Sequence, residues 1–281
     1  MRSAGSLRPL ASLLTAFAAV CLAVTAAAPA AQGAERGETS AAAGKYVALG
    51  DSYAVGPGTR TYDDPNDTCR RGPLSYPRLW AAQHTSYAFV EASCSGATTA
   101  DIRNQQVPRL TQDATLVTVQ AGGNDVGFVS VLANCILTLD DKDCVTGVDQ
   151  AKATATSVLP GALAQTYAAI RQGAPDAQVV VVGYPRFYTI GGTCGIFGLS
   201  DTERTALNSA ADVLDGVLAQ QAANAGFTFL DPRPAFDPHT ICSRSTPWVT
   251  SLEWDKINES YHPNQAGHHD GYLPALNAIT G

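Results

Sequence analysis

Four residues of chemically useful type follow three apolar runs and open a late loop. Tyr46-Val47-Ala48-Leu49 leads into Gly50-Asp51-Ser52, like a buried parallel strand that stops abruptly. Tyr87 to Cys94 leads into Ser95-Gly96-Ala97-Thr98-Thr99, and Thr115 to Gln120 leads into Ala121-Gly122-Gly123-Asn124-Asp125. Near the carboxyl end, Tyr261-His262-Pro263-Asn264 adds a histidine. Acyl transfer uses such parts. A serine attacks a carbonyl, a histidine takes its proton and returns it to the leaving alcohol, and donors hold the oxyanion. A glycine lets a backbone N–H approach closely, and an asparagine amide supplies a second donor. Each residue also has a plainer reading. Ser52 can cap a helix or turn, Gly96 can be a turn glycine, and Gly-Gly-Asn-Asp is good turn chemistry. Spacing alone does not bring the four together.

The elements between them alternate. Leu74 to Ala82 reads as a helix, and Asp101 opens another. Thr115 to Gln120 is a strand by its β-branched content. The stretch Val129 to Val148 reads as an excursion carrying Cys135 and Cys144. Ala151 to Arg171 is helical, with a break expected at Pro160-Gly161. Gln178 to Gly183 is the clearest buried strand. Asp201 to Asn224 is a long helix with Asp201 and Glu203 at its positive end. Phe227 to Leu230 is a fifth strand, and Asn264 to Ile279 the last helix. Strands alternating with helices predict a parallel sheet covered on both faces. Ligands of such sheets bind past the carboxyl ends of strands, where Ser52, Gly96 and Asn124 fall. His84, His239, His268 and His269 are expected in surface or loop positions.

The chain of 281 residues is 45% hydrophobic and 15% charged, which suits one sizeable domain. Its net charge of −7, without a basic run, argues against nucleic acid and anionic membranes as partners. Arg2 and Arg8 precede the nearly unbroken apolar run Leu10 to Ala28, and small residues follow. That is the pattern of an export signal over residues 1–33. Residues 34–44 then form a flexible mature amino terminus, and residues 45–281 a single domain. The expected location is extracellular, without a stable membrane anchor after processing. Cys21 leaves with the signal and six cysteines remain, Cys69, Cys94, Cys135, Cys144, Cys194 and Cys242. An even count in an exported chain implies disulfides. Sequential pairing is the simplest arrangement, with Cys69–Cys94, Cys135–Cys144 and Cys194–Cys242 each stapling a loop. No Cys-x-x-Cys pair suggests a metal. The acidic loop Asp63, Asp64, Asn66 and Asp67 lacks the glycine and distal glutamate of an EF-hand. Neither metal nor cofactor is expected.

Taken in order, these blocks resemble the SGNH, or GDSL-type, hydrolases. Gly50-Asp51-Ser52 is similar to their first block, Gly96 to the second and Gly122-Gly123-Asn124-Asp125 to the third. His262 lies where the fifth block places its base. The likeness is greatest to secreted bacterial lipases, esterases and phospholipases with three disulfides. It implies a flavodoxin-like three-layer αβα sandwich with about five parallel strands. It also implies Ser52 as nucleophile, His262 as general base, and an oxyanion hole made of the Ser52 N–H, the Gly96 N–H and the Asn124 side chain.

One position departs from the family pattern. Glu259 stands where an aspartate is usual, three residues before His262. The imidazole needs an acceptor for its Nδ1–H. Candidates are Glu259, the more distant Asp255, and a main-chain carbonyl within Glu259-Ser260-Tyr261, of which Ser260 is the favoured owner. The expected function is hydrolysis of lipid or other carboxylic esters by a monomer. Carbohydrate-ester deacetylation on the same scaffold and non-catalytic binding are the alternatives.

Overall fold

β-branched runs supply the centre of the molecule. Leu116-Val117-Thr118-Val119-Gln120 is buried along its whole length, and so is Val179 to Val182. Strands this apolar on both faces need cover on both faces. The computed structural model describes residues 44–138, 140–192 and 198–281. Its strands are β1 (Gly44–Gly50), β2 (Tyr87–Glu91), β3 (Leu116–Gln120), β4 (Gln178–Val182) and β5 (Thr228–Leu230). They form one sheet in the order β2-β1-β3-β4-β5, with every pair parallel. The helices are α1 (Ser52–Val55), α2 (Tyr76–Gln83), α3 (Thr99–Asp101), α4 (Phe128–Leu137) and α5 (Asp141–Ser157). They continue with α6 (Leu159–Gly173), α7 (Asp201–Asn224), α8 (Arg233–Phe236) and α9 (Leu273–Thr280). α2 packs on α9, while α3, α6 and α7 pack in series, with α5 against both α6 and α7. The result is a three-layer α/β sandwich.

Strand order reverses between β1 and β3, because β1 has β2 on one side and β3 on the other. A crevice opens past the carboxyl ends of strands at such a point. The turn leaving β1 is tight. Gly50 has φ +147°, and a Cβ there would lie 2.8 Å from the Gln120 carbonyl oxygen. Gln106 clasps this residue, its Oε1 accepting from the Gly50 N–H at 2.8 Å and its Nε2 donating to the Gly50 carbonyl at 2.9 Å.

Four sequence expectations need correction. The stretch Val129 to Val148 is not an excursion but most of two helices, α4 and α5, linked by Cys135–Cys144. The helix break falls at Val158, and Pro160 sits in the first turn of α6, where a missing N–H costs nothing. Gly44 already belongs to β1 rather than to the amino-terminal tail. His268 is fully buried, its Nδ1 accepting from the Tyr76 N–H at 3.1 Å. The expectation of a loop histidine failed because the last helix begins with a wide turn, Gly267–Tyr272, that points this ring inward against Tyr76 and Tyr272. The export-signal reading falls on residues outside those described.

Two disulfides are present among the described residues, Cys69–Cys94 and Cys135–Cys144. Cys242 is disulfide-bonded, and Cys194 lies outside the described residues. The first bridge ties the loop after α1 to the end of β2, next to Gly96, and encloses 25 residues of separation. Chain-entropy reasoning gives a loop of that size about 3.5 kcal/mol. The double variant Cys69→Ser/Cys94→Ser is therefore expected to lose about 2–4 kcal/mol in urea unfolding. A loss under about 0.5 kcal/mol would mean that the bridge's restriction of the unfolded chain is offset in the folded one.

Candidate active site

Ser52 is the first residue of α1, and Asp51 is its N-cap, with Oδ1 accepting from the Tyr53 N–H at 2.9 Å. The cap is therefore the aspartate, which frees the serine hydroxyl. Ser52 Oγ lies 2.8 Å from His262 Nε2. His262 Nδ1 lies 2.9 Å from the Ser260 carbonyl oxygen. A carbonyl only accepts, so Nδ1 carries the proton and Nε2 is the acceptor facing Ser52.

Glu259 turns away from the ring. Its Oε1 accepts from the Tyr62 hydroxyl at 2.7 Å, and its Oε2 lies 3.4 Å from Arg60 Nε. Asp255 makes no hydrogen bond to His262. The loop that holds the histidine is fastened at several points. Thr250 Oγ1 donates to the Glu259 carbonyl at 2.6 Å and accepts from the His262 N–H at 3.1 Å. Tyr261 adopts φ +61°, an unfavourable value for a bulky side chain. It is held there by the Tyr53 hydroxyl on its carbonyl and by Tyr188 on its own hydroxyl.

Gly96 lies on the same cavity wall with φ +81°, and a Cβ would meet nothing within 4 Å. Its conformation, not space, calls for glycine. Asn124 Nδ2 donates to the Ala97 carbonyl at 3.0 Å, which leaves one amide hydrogen for the cavity. Asp125 draws the neighbouring turn in, accepting from Thr99 N at 3.0 Å and Thr99 Oγ1 at 2.6 Å. The loops after β2 and β3 are thus tied to each other. Ser52, Gly96, Asn124 and His262 all line one cavity of about 380 Å³. Beyond them its wall is mostly apolar, with Phe128, Leu132, Ile136, Phe187, Leu207 and Leu214, and with Arg70, Lys152 and Asn258 among its polar members.

Sequence reading missed Tyr184. It follows Gly183 at the end of β4, a strand end like the others, and that position was the available signal. Its hydroxyl donates to Asp51 Oδ2 at 2.6 Å, and its N–H donates to Asp215 Oδ1 at 2.8 Å. Burial pushes the Asp51 carboxyl up to about 7, against the hydrogen bonds from Tyr184 and Tyr53. Burial likewise pushes Asp215 up to about 8. Thr250 was missed too, because nothing in its neighbourhood of sequence marks it.

The sequence matches the GDSL-like Lipase/Acylhydrolase family over residues 48–269, and the chain is a member of that family. Lipase 1 of Streptomyces coelicolor is 48% identical over 237 residues, 84% of this chain and 87% of that one. The crystal structure of phospholipase A1 from Streptomyces albidoflavus superposes with a TM-score of 0.80 at 47% identity, covering 84% of this chain and 98% of that chain. That of an extracellular lipase from Streptomyces rimosus also gives 0.80, at 44% identity, covering 84% and 99%. The protein is an ester hydrolase of the GDSL type.

Both buried histidines bear on stability. Burial pushes His262 down to about 4, against the pull of the Ser260 and Glu259 carbonyls, and pushes His268 down to about 3. A free histidine titrates near 6.5, so between about 6.5 and 4 the unfolded chain binds more protons. The neutral rings therefore stabilise the fold fully above about pH 6.5, and that contribution falls as pH drops toward the folded values. The raised carboxyls of Asp51 and Asp215 act the opposite way over the same range, so the histidine effect is read as a difference. From about pH 7 to 4.5, urea unfolding should lose more stability, or gain less, in the unchanged chain than in His268→Gln, which keeps an acceptor for Tyr76. An equally steep curve for the variant would remove His268 from the account.

Proposed function

We propose that the chain is an exported lipase or phospholipase A-type hydrolase that works through Ser52 and His262. The observation that carries this reading is the Ser52 Oγ to His262 Nε2 contact of 2.8 Å in the wall of an apolar cavity. Ser52 Oγ attacks the ester carbonyl as its proton passes to His262 Nε2. The Ser52 N–H, the Gly96 N–H and the free Asn124 amide hydrogen take up the oxyanion. The imidazolium then returns the proton to the leaving alcohol oxygen, and an acyl-Ser52 ester remains. Water attacks that ester by the same route, giving up its proton to His262, which hands it to Ser52 Oγ as the acid leaves.

The many apolar side chains lining the cavity support a long acyl chain, since burying each methylene of a substrate contributes about 0.8 kcal/mol. An acetyl group would leave most of that wall unused, which argues against deacetylation. Export is supported by the basic-apolar-small pattern of residues 1–33 and by the disulfides.

Three substitutions test the roles. Ser52→Ala should abolish turnover of a nitrophenyl acyl ester and labelling by a serine-directed phosphonate, with circular dichroism unchanged. Turnover at the wild-type rate would sink the assignment. Asn124→Ala should lower kcat by about 10²–10³-fold with a smaller change in KM; an effect confined to KM would make Asn124 a structural residue. Glu259→Gln should keep kcat within about tenfold, whereas an acid orienting the base loses about 10⁴-fold when made an amide. A loss of that size with an intact fold would falsify the carbonyl-oriented dyad.

A further inference from the structure

Helix α4 has an unusual surface. Its sequence, Phe128-Val129-Ser130-Val131-Leu132-Ala133-Asn134-Cys135-Ile136-Leu137, contains no ionisable group. Its inner side feeds the cavity with Phe128, Leu132 and Ile136. Its outer side carries Val129, Ala133 and Leu137, spaced four apart and hence on one face. Val129 is 67% exposed and Leu137 69%. A soluble surface helix normally turns mostly polar groups outward, whereas here Ser130 is the one exposed polar side chain beside Val129, Ala133 and Leu137. The segment Trp254–Glu259 also contributes to the cavity wall, through Ile257 and Asn258. It too presents large apolar groups to water, with Ile257 52% and Trp254 69% exposed. Val129, Ala133 and Ile257 line the cavity, so this apolar surface is continuous with the site's own wall. Four of the six large apolar side chains exposed among the described residues lie on these two segments.

We propose that the outer stripe of α4, with Trp254 and Ile257, seats the enzyme on a zwitterionic lipid surface, so that an ester passes from that surface into the cavity. The proposal rests on the reading above that the substrate is a lipid ester. The occupant follows from the chemistry of the rim. Helix α4 carries no charge, the nearby cations Lys152, Lys256 and Arg70 are engaged by Asp149, Glu253 and the Tyr62 ring, and a chain of net charge −7 is repelled by an anionic surface. Apolar side chains insert into a neutral interface, and an indole suits its boundary, with an apolar body and a polar N–H. Among the described residues no helix is long and apolar enough to cross a membrane, and the proposed contact is one of lying on the surface.

The test changes only Leu137 and Trp254, which do not line the cavity. Binding is read by flotation of the mature chain with phosphatidylcholine vesicles, in a Ser52→Ala background so that the lipid survives. The unchanged rim should bind, with a blue shift of emission that disappears in Trp254→Ser. Leu137→Ser/Trp254→Ser should bind about tenfold more weakly, as expected for losing part of the transfer free energy of two large apolar groups. Leu137→Met/Trp254→Phe should restore most of the binding. In the active enzyme, the Ser pair should leave kcat/KM on a monomeric, short-chain soluble ester within about twofold, since neither residue meets the substrate. Equal vesicle binding by the unchanged and Ser-pair rims would overturn the proposal. Tighter binding to phosphatidylglycerol vesicles than to phosphatidylcholine, or soluble-ester activity lost in parallel with binding, would also overturn it. The catalytic reading fails separately, by persistent soluble-ester turnover in Ser52→Ala alone, so the two failures are distinguishable.

Discussion

The hydrogen bond between His262 Nδ1 and the Ser260 carbonyl sets the chemistry of the site, because it fixes which nitrogen faces Ser52. The bond joins residues only two apart, so its geometry is set by the backbone between them. That backbone passes through Tyr261 in a left-handed conformation, which costs a bulky residue about 1–2 kcal/mol. Neighbouring groups hold it there. Thr250 binds main-chain atoms on both sides of Tyr261, and Val249 pairs with Pro263 across the same loop. Tyr53 adds a bond from α1 to the Tyr261 carbonyl. Since α1 begins with Ser52, the element carrying the serine also fastens the loop carrying the histidine. Their separation is thereby insulated from movement elsewhere in the long segments between them.

A carbonyl differs from a carboxylate as a partner for this ring. Both fix the tautomer, but a charged acceptor makes the stronger bond to an imidazolium. A ring without such a charge is a weaker base, which agrees in direction with the depressed pKa that burial imposes on His262. A weak base stays neutral and ready to accept far into acid. It also returns its proton readily to a leaving alkoxide. Glu259, which could have supplied the charge, is instead held by Tyr62 and Arg60. Its carboxylate braces the loop from outside.

The sheet was legible because its strands are runs of β-branched residues ending in glycine or polar turns. β4 and α7 lie almost where their composition puts them, and α7 carries its start signal openly, with Ser200 and Glu203 forming a capping box. What failed were stretches whose conformation depends on distant partners. α4 has only Ser130 and Asn134 for a polar side and no side-chain cap of its own, so it reads as irregular, yet its inner side lines the cavity and its end is fixed by Cys135–Cys144. His268 looked like one of a pair of loop histidines, but only Tyr76 and Tyr272, far off in sequence, explain its burial. Within the site, the strand-end residues could be read from local pattern. The groups that aim them could not. Tyr184, Thr250 and Gln106 act across gaps of many residues, and no spacing links them to Ser52.

Tyr184 shows why such a support is needed. Asp51 must cap α1 to leave Ser52 free, which places a carboxyl one residue from the proposed nucleophile in a buried turn. A full negative charge there would oppose the oxyanion that forms nearby, because burial weakens screening. Two features soften the conflict. Burial lifts the carboxyl to about 7, so that below this value the neutral form dominates. When it does ionise, the Tyr184 hydroxyl at 2.6 Å draws charge toward Oδ2, while the Tyr53 N–H holds Oδ1. Tyr184 is itself anchored through its N–H to Asp215, whose carboxyl burial likewise shifts toward the neutral form. The two buried acids are thus linked through Tyr184 to one rigid turn, in which Asp51 does the capping and the Ser52 hydroxyl stays free.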